Sequence, residues 1–314
     1  MAWSANDIPP QEGRTAIVTG ANVGLGLKTA TELAKSGATV ILASRDEAKA
    51  VSAMEQIEQV APEAEVRVVP LDLASLESIA TFAESVSSML PNGLDLLVNN
   101  AGVMMPPRRE TEDGFELQFG TNHLGHFALT GRLLPLLRTR EGSRVVTVSS
   151  TMAKLGKIDF DDLQSASAYS RTGAYAQSKL ANLIFAIDLE RRLVEAGAGI
   201  RSMGAHPGYA ATNLQASGPR IGGGLGSALA APFMSLGHRL LAQSAEAGAL
   251  PTLRAATDPQ LPGGSYVGPN GPGEMRGSPV PVAPVETATD PEVADRLWRV
   301  SVELTGIDYD LPST

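Results

Sequence analysis

Thr15-Ala16-Ile17-Val18-Thr19-Gly20-Ala21-Asn22-Val23-Gly24-Leu25-Gly26 is the stretch that decides the fold. Residues 15–18 read as a buried strand, and residues 25–35 as a helix that Gly37 ends. Between them, glycines permit a tight turn and let the backbone approach a pyrophosphate. The helix N-terminus adds N–H donors and a dipole that favours an anion. A glycine trio in an ordinary turn is weak evidence. Between the first strand and first helix of a β-α repeat it points to a dinucleotide.

The repeat continues outward from that turn. Strands are predicted at 39–43, 66–69, 94–98, 144–148 and 200–205. Helices are predicted at about 46–60, at 75–89 and, with Gly125 and Pro135 as weak points, at 113–138. Another helix carries Tyr175 and Lys179. Apolar strands alternating with helices imply a parallel sheet covered on both faces, and right-handed crossovers make it a doubly wound Rossmann fold. The α/β reading is of one domain over 1–314 with a core of about 13–304. Two stretches break the rhythm: an insert at 152–172 and a Gly-, Ala- and Leu-rich segment at 208–243. Residues 263–284 read as loop around a short strand at 265–267, and a last helix is predicted at 291–304. Pro251 falls inside a helix-like run at 245–257 and is expected to kink it.

Bulk properties narrow the function. The chain has 314 residues, 43% of them apolar, enough to bury a large core. There is no cysteine, which excludes disulfides, thiolate catalysis and cysteine-bound zinc. The four histidines, at 123, 126, 206 and 238, form no metal-ligand cluster; His123 and His126 read as structural or substrate-lining. A net charge of −9 argues against general nucleic-acid binding. No apolar run is long enough to span a bilayer, and residues 1–10 lack the basic start and apolar core of a secretory signal. A cytoplasmic protein without a membrane span is therefore expected.

Two further patterns carry chemistry. Tyr175 and Lys179 are four apart on a predicted helix, so they share one face. A free phenol has a pKa of about 10, and a neighbouring positive charge favours the phenolate. The end of the second strand speaks to the cofactor. An acidic residue there would hold the ribose 2′-hydroxyl of NAD. Here the apolar run gives way to Ser44 and Arg45, and Asp46 reads as the cap of the next helix. A hydroxyl and a guanidinium suit a 2′-phosphate, which favours NADP, with NAD the alternative.

With these residues in hand, the chain resembles the short-chain dehydrogenase/reductase family over about 13–304. Gly20, Gly24 and Gly26, with Asn22 and Leu25 between them, match its cofactor loop. Asp72-Leu73 match its adenine-contacting pair, and Asn99-Asn100-Ala101-Gly102 its motif after the fourth strand. Asn122, Ser150, Tyr175 and Lys179 match its catalytic set, and Pro207-Gly208 with Thr212 its nicotinamide-holding segment. The branch resembled is that of retinol dehydrogenases, WW-domain oxidoreductases and protochlorophyllide reductases. Its marks are Gly20-Ala21-Asn22, Ser44-Arg45-Asp46, Asn122-His123-Leu124-Gly125-His126-Phe127 and Ser178-Lys179-Leu180-Ala181-Asn182. Ser150 and Tyr175 are 25 positions apart, about twice the family's usual spacing, so the insert must loop out. Tyr169 in that insert has Gly173 four residues on, not lysine, and is rejected as the active tyrosine.

The resemblance implies hydride transfer between nicotinamide and a carbonyl or alcohol. Tyr175 would be the proton donor, Ser150 a second donor to the carbonyl oxygen, Lys179 the group that lowers the tyrosine pKa, and Asn122 the holder of a water linking Lys179 to solvent. Tyr175 and Lys179 would also contact the cofactor. A lipophilic aldehyde, ketone or secondary alcohol is expected, because in the family the segment after Pro207-Gly208 covers the substrate, and here it carries Leu214, Leu225, Leu229, Phe233, Met234, Leu236, Leu240 and Leu241; packing of these on the core or on a second subunit is the equal alternative. Gly222-Gly223-Gly224 within it suggests a mobile lid. Two alternatives stay open: a ring-double-bond reductase of the protochlorophyllide type, which typically depends on cysteines absent here, and a non-catalytic NADP-sensing protein. In many relatives the helices carrying Asn122 and Tyr175 form dimer faces, so a homo-oligomer, dimer or tetramer, is left open.

Overall fold

Among residues 2–209 and 243–311, which the computed structural model describes, eight strands form one sheet. In chain order they are β1 (Thr15–Thr19), β2 (Thr39–Ser44), β3 (Val66–Pro70), β4 (Leu96–Asn99), β5 (Arg144–Val148), β6 (Arg201–Ala205), β7 (Tyr266–Pro269) and β8 (Pro279–Pro281). They lie side by side as β3-β2-β1-β4-β5-β6-β7-β8. Every neighbouring pair is parallel except β7–β8. This is the doubly wound Rossmann sheet expected from the sequence. Strand order reverses between β1 and β4, and such a switch point opens a ligand crevice at the strands' carboxyl ends.

The period of two in each strand splits the core into two layers. Ile17, Ile41, Leu97 and Val145 pack on one face with residues of α3 (Leu76–Met89), α5 (Gly125–Arg138) and α6 (Arg171–Glu195). Ala16, Val18, Val40, Leu42, Leu96, Val98 and Val146 pack on the other with α1 (Gly24–Lys35), α2 (Glu47–Val60) and α7 (Ala245–Thr257). With both faces covered, each of these side chains stabilises the fold by about 1.5–3 kcal/mol where it is large and fully buried.

Two elements differ from the prediction. The helix expected over 113–138 starts late, at α4 (Leu117–Phe119), because the buried Glu116 carboxylate accepts the N–H groups of Gln118 and Phe119 and caps it there. It then passes through a π-helical turn, Gly120–Leu124, before α5 begins. Residues 263–284 hold a second strand, β8, whose prolines hide it in the sequence; it pairs antiparallel with β7 at the sheet edge, where prolines are tolerated. α7 spans 245–257 as expected, with Pro251 inside it.

The last helix, α8 (Pro291–Thr305), has a clear local cause. Asp290 caps it, Pro291 takes the first position, and Gly306 ends it at φ 67°. It lays Trp298 against Phe127 and Phe185, with ring centroids 5.1 and 6.1 Å away. Tyr309 closes the cluster, 4.9 Å from Phe127, and its hydroxyl donates to the Phe127 carbonyl at 2.6 Å. Truncating Phe127 to alanine would cost about 3–5 kcal/mol. Among the described residues no helix is long and apolar enough to cross a membrane.

Candidate active site

β1 ends at Thr19, whose Oγ1 accepts the N–H groups of Asn100 and Ala101, both at 2.9 Å. Asn100 Nδ2 donates to the Thr19 carbonyl at 2.8 Å. The segment Asn100-Ala101-Gly102 is thereby pinned beside the turn that follows β1. That turn holds Gly20 and a half-buried Asn22, and delivers the chain into α1, whose N-cap is Val23. Valine has no acceptor, so the N–H groups of Gly24, Leu25 and Gly26 receive no side-chain cap. By contrast, α2, α3, α6, α7 and α8 start on Asp46, Ser75, Ser170, Ser244 and Asp290, each making a capping hydrogen bond. Uncapped donors at the crevice fit a pyrophosphate. The turn is tight enough that a Cβ on Gly26 would stand 2.4 Å from the Gly20 carbonyl oxygen and 2.5 Å from Asn100 Nδ2.

At the end of β2, Ser44 Oγ accepts the Asp46 N–H at 3.3 Å, and Asp46 caps α2 by accepting from the Lys49 N–H. Arg45 is largely exposed, with Nη1 3.5 Å from Asp72 Oδ2. The other oxygen of Asp72 accepts the Ala74 N–H at 2.9 Å. Two of the residues expected at the cofactor have buried side chains. Leu73 turns its side chain into the core beneath α5, and Asn99 donates to Thr130 Oγ1 at 2.9 Å and Thr147 Oγ1 at 3.4 Å inside the sheet.

The four expected catalytic residues converge on the ends of β4 and β5. Asn122 sits in the π-helical turn, fully buried. Its Oδ1 accepts the Val103 N–H at 2.8 Å, and its Nδ2 donates to the Val103 carbonyl at 3.0 Å and to Ser178 Oγ at 2.9 Å. Ser150 starts the 3-10 turn Thr151–Leu155, accepts the Met152 N–H at 3.2 Å, and favours ionisation of the Tyr175 phenol. Tyr175 and Lys179 project from the same face of α6, Nζ lying 5.9 Å from the Tyr175 ring centroid. Lys179 Nζ donates to the Val148 carbonyl at 3.1 Å, and its own carbonyl accepts from Ser149 Oγ at 2.7 Å. Gly102 brings the two halves together: a Cβ there would lie 3.1 Å from Asn122 Oδ1 and 3.4 Å from Lys179 Nζ.

Burial dominates the acid–base balance. It pushes the Tyr175 phenol up to about 12, only partly opposed by the Ser150 hydroxyl, and the Lys179 ammonium down to about 8. The expected lowering of the tyrosine by the lysine does not appear in the protein alone. The ammonium lies over the ring rather than beside the phenol oxygen, and removal from water outweighs it.

His126 is a residue whose place the sequence left open. It is fully buried, with Nδ1 2.8 Å from the Asn122 carbonyl and Nε2 3.0 Å from Thr19 Oγ1. A carbonyl only accepts, so Nδ1 carries the proton and Nε2 accepts from the threonine. One imidazole thus joins the nucleotide turn to Asn122. His123 points away, 2.9 Å from Ser301 Oγ on α8. Burial holds both rings neutral, down to about 4 for His126 and about 3 for His123. Tyr169, rejected above, accepts from Gln118 Nε2 and donates to the Pro106 carbonyl, both at 3.0 Å. Pro207 and Gly208 follow β6 at the same end of the sheet, half-buried. Thr212, the apolar residues from Leu214 to Leu241, the Gly222-Gly223-Gly224 run and all but the ends of 208–243 lie outside the described residues.

Fold and site together define an oxidoreductase of the nicotinamide-dependent, Rossmann-sheet class. Comparison with known proteins gives the family. Residues 14–220 match the short chain dehydrogenase family model. Mouse polyprenol dehydrogenase is 42% identical over 306 residues, covering 95% of this chain and 86% of that one. Human retinol dehydrogenase 13 is 42% identical, covering 94% and 86%. A solved structure of an uncharacterised protein from Mycobacterium paratuberculosis superimposes with a TM-score of 0.81 at 43% identity, covering 99% of this chain and all of that one. The chain belongs to the short-chain dehydrogenase/reductase family and is an enzyme of it, related to the retinol and polyprenol dehydrogenases. The family's cofactor is NAD(P).

Proposed function

We propose that the protein transfers hydride between NADP and the carbonyl or alcohol carbon of a lipophilic aldehyde, ketone or secondary alcohol. The observation that carries this reading is Tyr175 and Lys179 on one buried face of α6, the ammonium over the phenol ring, with Asn122 brought to the same place across Gly102. When bound, the cofactor supplies or accepts the hydride. The chain's own residues handle the proton and the geometry. Near neutral pH the buried phenol of Tyr175 holds its proton and so can donate it to a carbonyl oxygen. Ser150 donates a second hydrogen bond to that oxygen and fixes the carbonyl's direction. Lys179, still charged at neutral pH, stabilises negative charge on the phenol oxygen after donation. Asn122, clamped between Val103 and Ser178, keeps Lys179 in register and holds the water that links it to solvent. In oxidation the same proton runs back to Tyr175.

The uncapped turn of α1 would hold the pyrophosphate, and Arg45 the 2′-phosphate that distinguishes NADP; its exposure leaves it able to leave Asp72. The lipophilic substrate class rests on the relatives named for retinol and polyprenol. A dimer or tetramer built on α5 and α6 would have to use the faces that α8 leaves open. The test is a panel of lipophilic aldehydes, ketones and secondary alcohols with NADPH and NADH side by side. Turnover with NADPH preferred is expected. Tight NADPH binding without turnover on any of them would sink the catalytic reading in favour of a binding protein.

A further inference from the structure

The connection between β7 and β8 takes no part in the chemistry above, yet it reaches the same end of the sheet. It is tied back on itself. The Asn270 N–H donates to the Ser278 carbonyl at 3.0 Å, the Ser278 N–H to Asn270 Oδ1 at 3.0 Å, and the Gly271 N–H to the Arg276 carbonyl at 2.9 Å. At its tip Glu274 adopts φ 56°, in the left-handed region. A glutamate there is strained, and such strain persists only where surrounding contacts over-determine it.

Those contacts reach two other segments. Glu274 Oε1 pairs with Lys154 Nζ at 2.7 Å, and Lys154 belongs to the 3-10 turn that starts on Ser150. Glu274 Oε2 lies 3.1 Å from His206 Nε2, off the hydrogen-bond line; burial holds the ring neutral, down to about 4, so the carboxylate meets an imidazole N–H dipole rather than a charge. The Gly208 N–H donates to His206 Nδ1 at 3.2 Å, so the ring proton sits on Nε2 and faces the carboxylate. The next residue completes the joint: the Met275 carbonyl accepts the Tyr209 N–H at 2.7 Å. The fit leaves no room at Gly208, which stands at φ 66°; a Cβ there would come within 2.5 Å of the Met275 carbonyl oxygen. One carboxylate therefore joins the Ser150 turn, the His206-Pro207-Gly208 segment and the β7–β8 connection.

We propose that Glu274 is a positioning residue that sets Pro207-Gly208 against Ser150 and so shapes the nicotinamide end of the cofactor cleft. This rests on the reading that the segment after β6 faces the nicotinamide. The turn after β1 is held by Thr19 and Asn100 instead, so the adenosine end is insensitive to Glu274.

The experiment is calorimetric titration of the full chain with two ligands: NADPH, and 2′-phospho-ADP-ribose, which lacks the nicotinamide. Glu274→Gln keeps the shape and removes the charge. It is expected to weaken NADPH about tenfold and to leave the fragment within about twofold. Lys154→Met, a half-exposed change, is expected to weaken NADPH in the same direction by less. Thermal melting is read on each variant. A Glu274→Gln protein that melts lower but binds NADPH like wild type overturns the proposal, as does equal weakening of both ligands. If Glu274→Gln does not fold, Lys154→Met decides on the same two ligands: unchanged NADPH affinity overturns the proposal, and selective weakening supports it. Wild-type protein that binds neither ligand would instead overturn the cofactor reading beneath it.

Discussion

The two halves of the crevice are built in opposite ways. The nucleotide half is local: β1, its glycine turn and the uncapped start of α1 are one run of sequence, and Ser44, Arg45 and Asp46 are another. The carbonyl half is assembled from far apart. Ser150 comes from β5, Tyr175 and Lys179 from α6, Asn122 from a π-helical turn, and Pro207-Gly208 from beyond β6. The first half takes its turn and its caps from neighbouring residues, with Asn100 and His126 as its long-range ties to Thr19. The second exists only once the sheet has formed and its helices have docked.

The largest expected effect strikes the assembled half. Tyr175→Phe removes the proton donor while keeping the ring, so turnover should fall by about 100- to 10,000-fold. Steady-state kinetics beside an NADPH titration would check it, and near-full turnover would end the assignment. Next come two buried rings, one at the seam between the halves and one behind it. His123 and His126 are held neutral in the fold, down to about 3 and about 4, whereas an unfolded chain protonates them near the ordinary value of 6.5. The folded protein therefore binds fewer protons in that window. Stability is fully present above about pH 6.5 and declines as pH falls toward the folded values, by about 4 kcal/mol at about pH 5 from these two rings together. Denaturant melts at about pH 7.5 and pH 5 would measure it; a flat profile would mean the rings are not neutral and buried.

A smaller effect falls on the local half. Gly26→Ala drives a Cβ into two backbone-held atoms, the Gly20 oxygen and Asn100 Nδ2, and should cost about 1–3 kcal/mol of stability. NADPH and its adenosine fragment should weaken together, the opposite of the selectivity expected at Glu274. The smallest change is Arg45→Gln, expected to reduce the preference for NADPH over NADH by about tenfold without touching the carbonyl chemistry. An unchanged ratio of kcat/KM values would move the 2′-phosphate contact to another residue.

The same division explains what could be read from the chain. The glycine turn, the Asp46 cap, the bounds of β5 and the stop at Gly306 all follow from residues adjacent in sequence. So did the pairing of Tyr175 with Lys179 and the exclusion of Tyr169. The π-helical turn carries no periodic signature, and the capping by Glu116 that delays α4 looks, in sequence, like one more polar residue. β8 is hidden because Pro279 and Pro281 argue against a strand, and only its place at the edge excuses them. The Lys179 effect on the tyrosine was read from spacing alone; spacing sets the face of a helix but not the depth at which that face is buried. His206 and Glu274 meet across 68 positions, beyond any local pattern.

The Tyr309 hydroxyl closes on the Phe127 carbonyl across 182 positions. During synthesis, then, the helix that follows Asn122 is made long before its aromatic partners emerge. Until Trp298 and Tyr309 leave the ribosome, Phe127 and Phe185 have no cover on that side, and a nascent or cleaved chain lacking them presents an aromatic face to other molecules. Folding that begins at the N-terminal strands can finish the nucleotide turn early. The aromatic cluster behind α5 and α6 is therefore closed only when nearly the last residues described have emerged.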